Sequence, residues 1–398
     1  MNSLKLSFKL VVVLALWLVT SGVVQAQWVT QTIALKAGWN GVYLHVDPSY
    51  ETIDNLVGPG ALVETPIQEV WMWKPNPTTM QFVQTPQQPL DTGTQWASWK
   101  RSDNENAQRL QRMIGNAAYL VYSTTDYTLT LKGKPILPGL EWTVSGLNFV
   151  GFPTVATAAP TFEEFLAKSP ELLQYGEFYR YPGGELGANN PAKVVALRTA
   201  KVQRGQAFWA RAGTHYNRYF GPVEVSTSSG DGVHFGANGS AVSLRLKNLT
   251  ANNLVVTLSL VASETPPSGQ TAIVSLPPLL ARGAINMTNL TYGYTNFTVS
   301  TPLTYTLAGK GLPGSEREVV LGLNRSVITA NPGELLAGVI TLKDSLGHTQ
   351  IDLPVTATPA STAGLWVGSA MATPGGSLFE KLRERRRWQT GHHHRRSV

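Results

Sequence analysis

Leu35-Lys-Ala-Gly-Trp-Asn40 and Val144-Ser-Gly-Leu-Asn148 are two runs that each end in a Gly-x-Asn turn and lead into an apolar strand. A second pair follows, Glu69-Val-Trp-Met-Trp73 and Glu177-Phe-Tyr-Arg-Tyr181, in which alternate aromatic residues share one face of a strand. Both pairs are separated by 108 residues. A constant separation of this kind predicts that one β-rich module occurs twice in the chain.

The second half of the module repeats with a smaller separation. Gly115-Asn-Ala-Ala-Tyr-Leu-Val121 pairs with Gly205-Gln-Ala-Phe-Trp-Ala210, which lies 90 residues further on, and Gly133-Lys-Pro pairs with Gly221-Pro, 88 residues on. The step from one separation to the other places an insertion at about residues 76–112 of the first copy. Between the strands, Ser49 and Thr161 with the acidic residues that follow them predict two short helices.

From residue 227 the pattern changes to short strands of alternating apolar residues separated by turns, which is typical of a β-sandwich. Its last two strands predict a closing hairpin with a turn at Asp344 to Gly347. The predicted fold class is mainly β, with tandem duplicated β-rich (α+β) modules followed by an Ig-like β-sandwich. The predicted boundaries are 1–26 (signal peptide), 27–138 (first copy), 139–226 (second copy), 227–361 (sandwich) and 362–398 (start of a lost further domain and a basic, disordered tail).

Residues 1–26 have the order of a secretory signal: Lys5 and Lys9, an apolar run from Leu10 to Val19, and a small-residue cleavage site ending at Ala26. The uncharged stretch is too short to span a bilayer. We therefore predict that the protein is exported to the cell envelope or outside the cell, with no transmembrane segment once the leader is removed; an uncleaved anchor is the alternative. The chain has no cysteine, and a disulfide-free exported protein favours a bacterial source.

The formal net charge of +7 is confined to the two ends of the chain. Lys5 and Lys9 contribute two positive charges and residues 377–398 contribute a net five, so residues 27–376 are neutral. This predicts no nucleic-acid partner for the folded body, while binding of nucleic acid or membranes by the Arg-rich tail is an alternative. His392–His394 in that tail can reach one transition metal, but such a run is more often a solvated end, so no metal site is predicted.

The run Leu35–Asn40 with Val42 and Leu44 resembles a motif that opens β modules in uncharacterised multi-domain secreted bacterial surface proteins. The Ig-like segment followed by Gly364-Leu-Trp-Val-Gly368 resembles the same proteins, in which a further β domain usually follows. The resemblance implies structural motifs without catalytic residues and no known activity. The chain departs from the pattern after Ala370, where a basic stretch begins that is either a truncated or frame-shifted end or a native tail.

The favoured function is that of a non-enzymatic secreted or cell-surface protein for adhesion, glycan binding or scaffolding, with extracellular glycans or cell-surface proteins as partners. Trp96 and Trp99 are the candidate ligand-binding residues, because the shared module does not account for them and exposed indoles stack on sugar faces; the alternative is that they cover the module's own core. No cofactor is predicted, since Gly309–Gly314 matches a dinucleotide fingerprint but leads into a strand.

The main alternative is an extracellular glycan-active hydrolase or its accessory subunit, whose catalytic residues are unknown. In that case two carboxylates converge from distant loops and leave no local motif. Asp231, Asp103 and Glu185 lie in suitable loops.

Overall fold

Strands dominate the computed structural model of the protein, which describes residues 27–73, 96–104, 107–139, 146–212 and 221–359. The described residues form five β-sheets, and the predicted mainly β fold class is confirmed. The predicted signal peptide, residues 76–95 of the predicted insertion and the predicted tail after residue 361 lie outside the described residues. Among the described helices, none is long and apolar enough to cross a membrane.

The first module contains, in chain order, β1 (Val29–Leu35), β2 (Gly38–Tyr43), β3 (Val46–Asp47), helix α1 (Ile53–Leu56), β4 (Ile67–Trp73), β5 (Trp96–Lys100), β6 (Ala118–Ser123) and β7 (Tyr127–Pro135). Its two antiparallel sheets have the strand orders β1-β7-β3 and β2-β6-β4-β5. Val42, Ile53 and Leu129 belong to the apolar core that these sheets share with the helix. Thr52, rather than the predicted Ser49, caps α1 by accepting a hydrogen bond from the backbone of Asn55.

The second module contains β8 (Asn148–Val150), α2 (Phe162–Leu166), α3 (Pro170–Tyr175), β9 (Glu177–Arg180), β10 (Ala192–Lys193) and β11 (Phe208–Arg211). Its sheet has the order β8-β11-β9-β10, which repeats the order β2-β6-β4-β5 strand by strand. The predicted cap of α2 is confirmed. The backbone N–H of Glu164 donates to the Thr161 hydroxyl at 3.1 Å, and the Glu164 carboxylate accepts from the backbone of Thr161 at 2.7 Å.

The strand ladders define how the two copies superpose. Leu120 lies opposite Gly41 in the first sheet, and Trp209 lies opposite Phe149 in the second. Since Gly41 and Phe149 differ by 108 positions, Leu120 corresponds to Trp209, and the separation for this strand is 89 rather than the predicted 90.

A turn before the strand supports this correction of one residue. Asn116 and Gly205, which are also 89 positions apart, are both in the positive-φ region, at 54° and 85°. Asparagine and glycine are the residues that most readily adopt it.

The sheets of the two modules pack face to face through aromatic side chains. The ring centroids of Trp96 and Phe149 are 6.3 Å apart, and those of Trp73 and Trp209 are 5.7 Å apart. The indole N–H of Trp209 donates to the hydroxyl of Tyr181 at 2.7 Å. A single apolar core therefore contains residues from both copies.

The sandwich contains β12 (Val223–Thr227), β13 (Val233–His234), β14 (Ala241–Asn248), β15 (Leu254–Ala262), β16 (Ile273–Ser275), β17 (Leu279–Asn286), β18 (Thr291–Phe297), β19 (Leu303–Leu307), β20 (Glu316–Leu323), β21 (Leu335–Asp344) and β22 (Gln350–Ala357). One sheet has the order β12-β14-β20-β17-β18, and the other β13-β22-β21-β15-β19 with β16 beside β21. Leu244 and Leu321 of the first sheet share a core with Leu258 and Leu353 of the second.

Two sequence predictions concern the first and the last part of the sandwich along the chain. The closing hairpin is confirmed, since β21 and β22 pair and the backbone N–H of Gly347 donates to the carbonyl of Asp344 across the turn. β12 pairs with β14, so the predicted boundary at residue 226 falls within a strand of the sandwich.

Candidate functional site

Trp96 and Trp99, the residues predicted to bind a ligand, lie inside the molecule. They project from opposite faces of β5. Trp96 is 5% exposed and packs between the two modules, whereas Trp99 is 1% exposed and donates its indole N–H to Asp54 at 2.9 Å. The alternative considered from the sequence, that these indoles cover the core, accounts for their burial. Ligand binding by them stays a prediction that requires both rings to become exposed.

The three carboxylates of the hydrolase hypothesis have separate surroundings. Asp231 lies 3.3 Å from the imidazole of His234, and the Glu185 carboxylate accepts from the hydroxyl of Tyr122 at 2.9 Å. Asp103 lies in the turn after β5, where its backbone N–H donates to the carbonyl of Lys100. Among the described residues, no hydrogen bond or ion pair joins any two of these three carboxylates, and no group of three His, Asp or Glu side chains could hold a metal ion.

A patterned surface lies on the solvent side of the five-stranded sheet β12-β14-β20-β17-β18, which we call the outer face. Side chains alternate between the core and the solvent along each strand. Leu279 and Ala281 of β17 enter the core, so Arg282 points to solvent. The ladder between β17 and β18 places Tyr294 directly opposite Arg282. Arginine and tyrosine side chains thus stand side by side on one exposed surface.

The aromatic part of the outer face consists of Tyr292 and Tyr294, which are 45% and 53% exposed. The guanidinium carbon of Arg282 lies 4.5 Å from the ring centroid of Tyr292, a cation–π contact that holds the ring in place. Tyr294 lies over Gly322 of β20, where a Cβ atom would come within 3.7 Å of its ring. The ring of Tyr294 therefore lies close to the backbone of the neighbouring strand.

The polar part of the outer face continues from these rings across β20 and β14. Glu318 accepts a hydrogen bond from the hydroxyl of Ser243 at 2.7 Å and lies 3.8 Å from the guanidinium of Arg282. Hydrogen bonds from Lys247 and Arg245 hold the pKa of Glu316 below its usual value, so this carboxylate is ionised at neutral pH. The side chains border a groove of about 480 Å³ lined by Ser226, Thr227, Ser228, Ser243, Arg245, Glu316, Arg317 and Glu318.

Sequence reasoning missed the two exposed tyrosines. Thr291-Tyr-Gly-Tyr-Thr-Asn-Phe297 alternates aromatic and polar residues, and the same alternation occurs at Trp71 and Trp73, which pack against the core between the modules. What separates the two cases is the buried Phe297, which lies on the opposite face of β18 from Tyr292 and Tyr294. That odd-numbered phenylalanine was the available signal that the even-numbered tyrosines face solvent.

No family model matches the sequence, and no curated protein matches it. Solved structures with a detectable likeness include an allantoicase, at 8% identity over 84% of this chain and 78% of the other with a TM-score of 0.16. The CupB6 tip adhesin from Pseudomonas aeruginosa matches at 9% identity over 85% and 93%, with a TM-score of 0.18. Allantoicase from Saccharomyces cerevisiae matches at 8% over 75% and 77%, with a TM-score of 0.16. Likenesses this remote carry no argument about function.

Proposed function

We propose that the protein is a non-enzymatic glycan-binding protein that is exported to the cell surface or beyond, and that the outer face of its sandwich binds the glycan. The observation that carries the proposal is the pair of half-exposed rings, Tyr292 and Tyr294, beside Arg282 on one face of the sheet. The resemblance of the Gly-Trp-Asn modules to those of secreted bacterial surface proteins and the signal-like leader support the location.

The chemistry of the outer face matches that of a sugar chain. Sugar rings present apolar C–H faces that stack on aromatic rings, while their hydroxyls donate to carboxylates and accept from guanidinium groups. The face offers the tyrosine rings for stacking, Glu318 as an acceptor and Arg245 as a donor. Because acidic and basic side chains alternate across the face, it favours a neutral or weakly charged glycan over a polyanion.

A double variant tests the proposal. Tyr292→Ala with Tyr294→Ala removes both rings, and at roughly 1 kcal/mol for each stacked ring the dissociation constant should rise about tenfold or more. The measurement is a glycan array followed by calorimetric titration of the best ligand. Both side chains are half exposed, so the variant should keep its fold and its unfolding temperature.

Tyr175→Ala is the matched control, because Tyr175 is a 55% exposed tyrosine of helix α3 that does not line the groove of the outer face. It should bind as the unmodified protein does. If the double variant and the unmodified protein bind the glycan equally well, the outer face is not the glycan site. If the unmodified protein binds no glycan, the proposed function is wrong.

A further inference from the structure

A second cleft lies where the two modules and the sandwich meet. Its lining includes Gln31 and His45 of the first module, Arg204 of the second, and Gln350 and Asp352 of the sandwich. The volume is about 350 Å³, enough for a single sugar ring but not for a long chain. The exposed side chains of Thr32 and Ala156 also line the cleft, so it opens to solvent.

The charged groups of the cleft neutralise each other. A guanidinium nitrogen of Arg204 donates to Asp352 at 2.8 Å, and the two side chains are only 12% and 10% exposed. The other oxygen of Asp352 accepts from the hydroxyl of Thr341 at 2.9 Å. Arg204 also donates to the backbone carbonyls of Thr154 and Gln350. Both side chains are therefore fixed, and the pair adds no net charge for a charged ligand to match.

His45 is the residue in the cleft with unused hydrogen-bonding capacity. His45 is 4% exposed, and its Nε2 atom has no hydrogen-bond partner among the described residues. Burial, together with the charge of Arg204, holds the pKa of His45 well below its ordinary value, so the ring is neutral at pH 7. A buried polar atom without a partner is unfavourable, and a ligand or water hydroxyl would satisfy it.

The ring of His45 is also held in position. Its centroid lies 4.9 Å from that of Tyr43 in an edge contact. Its backbone N–H donates to the side-chain oxygen of Gln31 at 2.8 Å, while the amide of Gln31 donates to the carbonyl of Tyr43. The imidazole is thus preorganised rather than free to turn to another partner.

We infer that this junction cleft binds one small uncharged polyhydroxylated ligand, a single sugar unit, through His45, Gln350 and Thr32. The inference rests on the proposed function for the class of ligand but concerns a site that is separate from the outer face. Zero net charge favours a neutral ligand. The amide of Gln350 donates to both oxygens of Asp352, at 3.3 and 3.2 Å, so a ligand hydroxyl can donate to the side-chain carbonyl of Gln350 and pair with either tautomer of the neutral imidazole. The apolar side chains of Val29, Val46 and Ala156 are available to the C–H groups of the sugar.

The experiment titrates the full chain with glucose, galactose, mannose and N-acetylglucosamine, and measures saturation by ligand-observed NMR and by the rise in unfolding temperature. His45→Phe removes both ring nitrogens but keeps an aromatic ring beside Tyr43. Thr32→Val at the exposed rim of the cleft removes one hydroxyl without touching a buried group. Tyr175→Ala is the matched control, because Tyr175 is an exposed tyrosine that lines neither the cleft nor the groove of the outer face. The Tyr292→Ala/Tyr294→Ala variant reports any binding of these sugars by the outer face.

We expect at least one of these sugars to saturate the unmodified protein and the control equally, and to bind His45→Phe roughly tenfold more weakly, as the loss of a buried hydrogen bond requires. If His45→Phe does not fold, a several-fold weaker affinity of Thr32→Val carries the same conclusion. The inference is overturned if no sugar saturates the protein, or if His45→Phe and Thr32→Val bind as the unmodified protein does. Loss of binding only in Tyr292→Ala/Tyr294→Ala would leave the outer face as the glycan site and remove the junction cleft.

Discussion

At the scale of single residues, buried and half-buried histidines make the stability of the fold sensitive to acid. Burial is the largest cause of the lowered pKa values of His45, His234 and His348. A histidine whose pKa is lower in the folded than in the unfolded chain takes up its proton only on unfolding. The unfolded state therefore binds more protons as the pH falls through about 6.5, and the free energy of unfolding decreases with it.

His45→Gln should reduce this acid sensitivity. The unmodified protein should have a constant contribution from His45 above about pH 6.5 and lose up to about 1.4 kcal/mol for each pH unit below it, until the folded-state pKa is reached. The variant should lack this contribution, so its stability should decline less steeply between pH 6.5 and 5.5. Urea unfolding of both proteins at pH 7.5, 6.5 and 5.5 measures their free energies of unfolding. The difference between the two proteins at pH 7.5 gives the part of the change in stability that does not depend on pH. Parallel curves for the two proteins would contradict the assignment.

At the scale of the elements, glycines permit the close approach of the two modules. The edge strand β2 of the first sheet is covered by chain from the second module: the backbone N–H of Trp39 donates to the carbonyl of Gly184 at 2.9 Å, and that of Tyr43 donates to Gly205 at 2.8 Å. Gly38 has a φ of 92°, and a Cβ atom on it would lie 2.4 Å from the backbone of Gly184. Covering the edge in this way removes an exposed strand that could pair with other chains.

Gly38→Ala and Gly184→Ala form a matched pair that separates crowding from backbone strain. Both glycines have positive φ, at 92° and 81°, but a Cβ on Gly184 would meet no atom within 4 Å. Gly184→Ala should therefore lower the free energy of unfolding by about 1 kcal/mol. Gly38→Ala should lower it by that amount and a further 1–3 kcal/mol or so, because the neighbouring backbone has to move. Denaturant unfolding measures both, and equal losses would show that crowding at residue 38 has no effect.

The sequence predicted the strands and helices better than it predicted which of them pack against each other. Runs around Asn40 and Asn148 predicted equivalent strands because turn and apolar positions are local properties, and the shared sheet order agrees. The separation of 89 residues between Leu120 and Trp209 could not be predicted. The sequence comparison aligned Gly115 with Gly205, but the residue of the first module that has positive φ in this turn is Asn116. The burial of Trp96 depends on its contact with the sheet of the second module, which no local pattern encodes. The exposure of Tyr292 could have been predicted, because the apolar Phe297 lies on the opposite face of the same strand.

At the scale of the whole molecule, the sandwich contacts both modules through backbone and side-chain hydrogen bonds. The backbone N–H of Trp28 donates to Ser263, and the backbone N–H of Glu264 returns a bond to the carbonyl of Trp28 at 2.9 Å. The backbone N–H of Gln350 donates to Pro153 of the second module at 2.9 Å. These hydrogen bonds from two sides fix the sandwich, and with it the outer face and the junction cleft, relative to the modules.

The ion pair of Arg204 and Asp352 should contribute strongly to this union of modules and sandwich. Replacing one partner leaves a buried charge without its counter-ion, so Arg204→Met should lower the free energy of unfolding by about 3–5 kcal/mol. Arg204→Met with Asp352→Leu removes both charges and should recover part of that loss, because the buried carboxylate no longer needs a partner. Equilibrium denaturation of the single and double variants gives the coupling energy between the two side chains. Lys36→Met is the control, because Lys36 pairs with Asp126 at 2.8 Å on the exposed surface. It should change the free energy of unfolding by less than about 1 kcal/mol. A loss for Arg204→Met no larger than that of the control would mean that the modules and the sandwich are held together without this pair.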